Sequence, residues 1–179
     1  MSDAAFEAFV RRFQDMVFAT AVRLLGNPVE AEDVAQTVFL RAFERFDTIG
    51  DSPAAAGWLK AVTRHACLNH LARYRKRWRL FSEMARTDDQ SETPYEATLP
   101  SPDSPAQTFE RGQQEQELEQ ALRQLPDHQR VPLVLFHFDD MSYQDIATLL
   151  GVSLGKVKTD IHRGRVALRK YLAGTDAAR

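Results

Sequence analysis

The side chains with the most evident chemistry lie near the C-terminal end, in MSYQDIATLLGVSLGKVKTDIHRGRVALRKYL, residues 141–172. Ser142 and Asp145 make a capping pair, Gly151 supplies a tight turn, and Ser153 caps a second helix. Ile146, Leu149 and Leu150 form the inner face of the first helix; Leu154, Val157, Ile161, Leu168 and Leu172 form that of the second. This is the pattern of a helix-turn-helix. At about 100° per residue, with Val157 inward, Gly155, Lys156, Thr159 and Arg163 point to the opposite side, where they could meet base edges in a major groove. Lys158, His162 and Arg165 fall on a flank suited to phosphates. A helical hairpin with a solvated basic face is the plainer alternative; the agreement of both caps, the glycine turn and the outward cations favours the DNA-reading pattern.

A second basic block, WLKAVTRHACLNHLARYRKRWRLF at residues 58–81, interleaves Lys60, Arg64, Arg73, Arg75, Lys76, Arg77 and Arg79 with Trp58, Tyr74 and Trp78. Cations interleaved with aromatics suit a backbone track beside unstacked bases, where each stacked base contributes roughly 1–3 kcal/mol. A basic helix end that merely keeps the chain hydrated would look similar in isolation.

Bond-making chemistry finds no support. His65, Cys67 and His70 are candidate metal ligands, yet residues 65 and 67 sit about 200° apart on a helix, so one ion does not easily bridge them. Asp139 and Asp140 are merely adjacent at an expected helix end, and no glycine-rich phosphate loop, nucleophile elbow or paired-carboxylate spacing occurs. The expectation is a non-enzyme without metal or cofactor.

The elements that must position these groups are all helical. Phe6, Phe9, Val10, Phe13, Val17, Ala21, Leu24 and Leu25 mark a first amphipathic helix ended by Gly26. Asn27 and Pro28 open a second, expected to reach about Asp47, whose apolar residues Val34, Val38, Phe39, Leu40, Phe43 and Phe46 cover more than one stripe and leave surface for a partner. After the turn at residues 50–53, Ala54 to about Phe81 reads as one long helix with an inner stripe of Leu59, Val62, Ala66 and Leu71. Eight of the eleven phenylalanines lie in residues 1–81, enough for that region to close its own core. Residues 82–108 hold four of the eight prolines and much Ser and Thr, the composition of a linker. Helices resume at Phe109 and again over Asp127–Phe138, where Pro132 should delay or kink the helix. The fold class is all-α: two small helical domains, 1–81 and 109–174, on a flexible tether, with no strands.

Charge follows this division. The formal net charge is only −2, but residues 58–81 carry 7 basic and no acidic side chains, 82–119 carry 2 and 10, and 120–179 carry 9 and 6. Two basic surfaces thus flank an acidic segment able to compete for them. The single cysteine forbids an internal disulfide, no window approaches the roughly 18 apolar residues of a membrane span, and the acidic start is unlike a signal peptide. The expected setting is cytoplasmic, with no membrane insertion.

The order VEAEDVAQTVFLRAFERFD, AGWLKAVTRHACLNHLARYRKR, a polar acidic linker, and LPDHQRVPLVLFHFDDMSYQDIATLLGVSLGKVKTDIHRGRVALRK resembles bacterial sigma factors of the extracytoplasmic-function (ECF) group, over nearly the whole chain. The resemblance implies region 2 in the first domain and region 4 in the second. It further implies that Glu32, Asp33, Val34, Gln36 and Phe39 dock on the clamp coiled coil of core RNA polymerase. Trp58, Lys60, Arg64, His65, Arg75, Lys76 and Arg77 would open the minus-ten promoter element and hold its bases, while the helix from Ser153 would read the minus-thirty-five element. The tether resembles a linker threading polymerase channels, and an anti-sigma factor is an implied partner beside polymerase and promoter DNA. The sequence departs from the family's common residues at His65, Asn69, Asp160 and Asp140, the last standing where a glycine is common. A free-standing helix-turn-helix repressor, dimeric on duplex DNA, is the rival reading; it leaves the basic aromatic helix and acidic tether without a role.

Overall fold

A computed structural model describes residues 3–72 and 107–176, and among them every regular element is a helix. Helix α1 (Asp3–Leu25) buries Phe9, Phe13, Val17, Ala21, Leu24 and Leu25, and Gly26 ends it in the left-handed region (φ 69°). The Asn27 side chain accepts the Val29 N–H at 3.0 Å to start α2 (Pro28–Glu44). Residue 45 then breaks the helix, which ends short of the expected Asp47; α3 (Phe46–Ile49) follows as a separate turn. The Phe46 ring meets Phe6 and Phe9 edge-on, at 5.3 and 5.4 Å, and this cluster helps hold the bend.

Helix α4 spans Ala55–His70, capped by Leu71. The rest of the long helix expected from the sequence, with Arg75, Lys76 and Arg77, lies outside the described residues, as does the acidic tether up to residue 106. Helices α5 (Gln107–Gln124), α6 (Asp127–His137), α7 (Tyr143–Leu150) and α8 (Leu154–Asp176) follow among the described residues. Pro132 does not delay α6, which begins five residues before it. The ring is buried among Val131, Leu133, Val134 and Leu135, so packing offsets the lost backbone bond. Asp140 adopts the left-handed conformation usual for glycine (φ 53°) while the Met141 N–H closes onto the Leu135 carbonyl at 3.1 Å.

The two halves do not form separate cores. Helix α1 packs on α2 and α4 on one side and on α6 on the other, and a single apolar cluster runs from Phe9 through Leu59 and Leu68 to Leu122, Val131, Ile146 and Ile161. Apolar faces at the expected boundary are thus buried against each other.

Candidate nucleic-acid interface and docking groove

The turn that aims α8 is built from local hydrogen bonds. Ser142 Oγ accepts the Asp145 N–H at 3.1 Å and donates to the Asp145 carboxylate at 2.7 Å. Gly151 leaves α7 at φ 67°, a conformation that costs other residues energy, and its N–H returns to the Ala147 carbonyl. Ser153 Oγ accepts the Lys156 N–H at 3.2 Å. With these ends set, Val157 and Ile161 enter the core, and Gly155, Lys158, Thr159, His162 and Arg163 are exposed along one side of α8. Apart from its own turn of helix, nothing lies within 4 Å of where a Gly155 side chain would begin, so the backbone there is open to a close ligand.

Two cations expected on that surface are engaged instead. Lys156 Nζ lies 2.7 and 2.5 Å from the two oxygens of Asp160, and the side chains are only 9% and 6% exposed. Burial raises the Asp160 carboxyl above its usual range although Lys156 pulls the other way; His128 of α6 and Arg163 also act on this carboxyl. Arg165 Nε donates to His137 Nε2 at 3.2 Å, and its guanidinium lies 5.4 Å from the Phe136 ring centre. Burial, then the Arg165 charge, lowers the His137 pKa, consistent with an unprotonated accepting nitrogen.

On α4, Lys60 and His65 are exposed and Trp58 and Arg64 half-buried. Lys60 Nζ donates to the Phe138 carbonyl at 3.3 Å, and Arg64 Nη1 stands 3.5 Å from Asp139 Oδ2. That pairing is close in distance without hydrogen-bond geometry: Arg64 Nε and Asp139 Oδ2 are both buried and unpartnered. Cys67, on the inner face of α4, is buried, and desolvation with the nearby Asp139 charge pushes its thiol up to about 12. Among the described residues, no three His, Cys, Asp or Glu side chains cluster as a metal site, and no helix is long and apolar enough to cross a membrane.

The third surface is an open groove of about 870 Å³ between α1 and α2, floored by Phe6, Val10, Phe18, Ala35, Phe39, Leu40 and Phe43 and rimmed by Gln14, Asp15, Glu32 and Gln36. Leu40 is 67% exposed. Phe18 and Phe43 are likewise among the exposed large apolar side chains, and exposed apolar side chains grouped in this way make the groove a candidate interaction site.

Comparison with known proteins identifies the family. The family profiles described as "Sigma-70 region 2" and "Sigma-70, region 4" match residues 9–79 and 115–168. The ECF RNA polymerase sigma factor SigW of Bacillus subtilis is 31% identical over 168 residues, covering 94% of this chain and 89% of that protein. The chain belongs to the ECF sigma factors. The RNA polymerase sigma-E factor of Streptomyces coelicolor is 33% identical, with 96% of this chain and 88% of that one covered. ECF sigma factor SigE of Mycolicibacterium smegmatis is 34% identical over 94% of this chain and 62% of its own length. A solved structure of the sigma factor RpoE with the anti-sigma factor NepR from Bartonella quintana aligns at a TM-score of 0.49 and 23% identity, covering 94% and 96% of the chains.

The geometry of this sigma factor revises several residue assignments. Val34 is 5% exposed and belongs with Ala31, Val38 and Ala42 to the inner stripe of α2, so it cannot present itself to a partner from the folded state. Glu32, Gln36 and Phe39 do border the groove, whereas Asp33 is exposed outside its lining. Phe18 on α1 was not singled out by the sequence pattern because it lies outside the inner stripe of its helix; its exposure is a tertiary result. Lys156 and Arg165 leave the outward set for side-chain partners within the fold. Arg130, which the sequence pattern also passed over, is nearly fully buried at the junction of α1 and α6.

Proposed function

We propose that this sigma factor recruits core RNA polymerase through the α1–α2 groove and reads promoter DNA on two faces, while catalysing no reaction itself. Leu40, Phe39 and Phe43 supply the apolar contact for polymerase, with Glu32 and Gln36 on the polar rim. Thr159 and Arg163 meet base edges of the minus-thirty-five element, the open backbone at Gly155 allows close approach, and Lys158 and His162 meet phosphates. Lys60, Arg64, His65 and Trp58, continued by Arg75, Lys76 and Arg77, hold the opened minus-ten strand. Capture of its bases offsets an unstacking cost of a few kcal/mol per step. Such a factor works in the cytoplasm, where polymerase and promoter are, and an anti-sigma protein covering the apolar groove is the expected inhibitor.

The observation that carries this reading is the pairing, in one chain, of an exposed helix-turn-helix face with an unfilled apolar groove on the region 2 side. A repressor needs only the first. Run-off transcription from genomic promoter fragments with purified core polymerase tests it: new start sites should appear only when the chain is added. Tight, specific binding of promoter duplex by the chain alone, with no transcripts, would favour the repressor.

A further inference from the structure

Arg165 and His137 meet where α8 packs on α6. On α8, Lys158, His162 and Arg165 recur at positions i, i+4 and i+7, a flank about 10 Å long. Lys158 and His162 are exposed, whereas Arg165 is half-buried and turned onto α6. Its Nε donates to His137 Nε2 at 3.2 Å, and its guanidinium lies 5.4 Å from the centre of the Phe136 ring, which stacks on Tyr143 of α7 at 4.7 Å. The bond requires a lone pair on Nε2, so the neutral imidazole carries its hydrogen on Nδ1. Burial and the Arg165 charge both oppose protonation, and among the described residues no carboxylate acts on the ring. The elements around it explain why. Helix α7 contributes the Tyr143 phenol, and α1 contributes Arg23, which lies over Phe138 and is paired with Glu119 of α5. Asp139, just past the end of α6, stands 3.5 Å from Arg64, and Arg169, one turn beyond Arg165, is another exposed cation.

We propose that His137 and Arg165 form a proton-linked site for one phosphate of the DNA backbone: neutral His137 holds Arg165 against α6, and protonated His137 releases it, so that both cations close on the phosphate. The proposal rests on the reading that the Lys158–His162 flank faces DNA. Once Nε2 takes a proton it no longer accepts the Arg165 N–H, and two cations stand 3.2 Å apart without a carboxylate to offset them. Such a pair is unfavourable alone and favourable around an anion. A backbone phosphate brings one negative charge and acceptor oxygens for both side chains, so phosphate and proton each raise the affinity for the other by the same factor. At neutral pH the site is shut and DNA meets the flank through Lys158 and His162. As pH falls the flank gains a further backbone contact, which carries no sequence information and leaves base reading by Thr159 and Arg163 unchanged.

Fluorescence anisotropy of the full chain with a labelled duplex of mixed sequence, read at several salt concentrations near about pH 7.5 and about pH 5.5, tests this, because a backbone contact needs no particular promoter. One linked proton allows at most about tenfold in affinity per pH unit. Across the range wild type should gain about fivefold more affinity than His137→Gln, whose amide keeps an acceptor for Arg165 without titrating. Its slope of log K against log salt should also steepen by about 0.9 more on acidification, the share of one phosphate. The other four histidines are common to both proteins, so the difference belongs to His137. Arg165→Gln should lose most of the same increment, and NMR of the wild-type histidine rings needs no variant: His137 should titrate at higher pH with duplex than without. Equal pH dependence in wild type and folded His137→Gln, a full increment in folded Arg165→Gln, or a His137 titration unmoved by duplex would each overturn the site. Lys158→Ala reports on the underlying reading and should lower the salt slope by about 0.9 at both pH values. If it does so while His137→Gln behaves as wild type, the flank faces DNA and the proton link is wrong. If the Lys158→Ala slope is unchanged, the flank does not face DNA and the proposal falls with it.

Discussion

Removing the ammonium of Lys156 while keeping its stem, as in Lys156→Met, should destabilise the fold and leave promoter choice alone. The Lys156 and Asp160 side chains are 9% and 6% exposed, so solvent screening does little to soften the loss. Breaking a buried pair by deleting one partner costs about 3–5 kcal/mol; the proximity of His128 and Arg163 to the stranded carboxylate argues for the lower end, about 3 kcal/mol. For a chain of this length that is about 6–12 °C in Tm. The pH dependence follows from the same carboxyl. Burial raises its pKa in the folded state, so its ionisation weighs against folding, increasingly as pH rises through the folded value. Without Lys156 this effect grows, and the deficit of the variant relative to wild type should be largest near neutrality and shrink on acidification. Lys156→Met with Asp160→Asn should recover most of the loss, since no charge then remains buried. Thermal melts by circular dichroism at several pH values, together with competition among minus-thirty-five duplexes, check both halves. A Lys156→Met chain of unaltered stability that prefers different bases would refute the reasoning and return Lys156 to the groove.

Leu40→Asp should abolish co-elution with core polymerase while leaving helicity intact, whereas Val34→Asp should unfold the chain, because it buries a charge in the inner stripe of α2; equal behaviour of the two in melts and co-elution would contradict the groove assignment. Arg163→Ala should cost roughly 1–3 kcal/mol of discrimination at one minus-thirty-five base pair, which competition binding reads; Thr159→Ala should relax preference at a neighbouring position. His137, whose folded pKa is lowered by burial, contributes stability that is present above its unfolded value and lost as pH falls through it toward the folded one. His137→Gln, which keeps an acceptor for Arg165, should flatten the change in urea midpoint between about pH 7.5 and 5.5, and an unchanged slope would show that the titration of His137 is not coupled to folding.

The helical character, the caps and the turn of this protein are written in neighbouring residues. Ser142 bonds to Asp145, Asn27 to Val29, and Gly151 turns the chain, all through contacts spanning no more than four positions. Strands were excluded for the same reason, since apolar spacing of three and four is a local property. Family resemblance reached further, because motif order survives where each motif alone is ambiguous. The orientation of α8 also followed from sequence at Val157, Thr159 and Arg163.

What sequence could not decide is how much of each helix its neighbours cover. A helical wheel assigns α8 one inward side, but α5, α6 and α7 all pack on it, widening the buried sector until Asp160 and the ammonium of Lys156 fall within it. The same holds for Val34, which looked like surplus apolar surface until α2 lay against α1 and α4 and turned Leu40 and Phe43 outward instead. Arg130 is the clearest case. Its partners at Leu24 and Leu25 lie more than 100 residues away, and only their meeting in space makes a buried charge stable. Periodicity determines which residues share a face; burial of that face, and the pairing of the polar groups caught under it, is a property of the assembled helices.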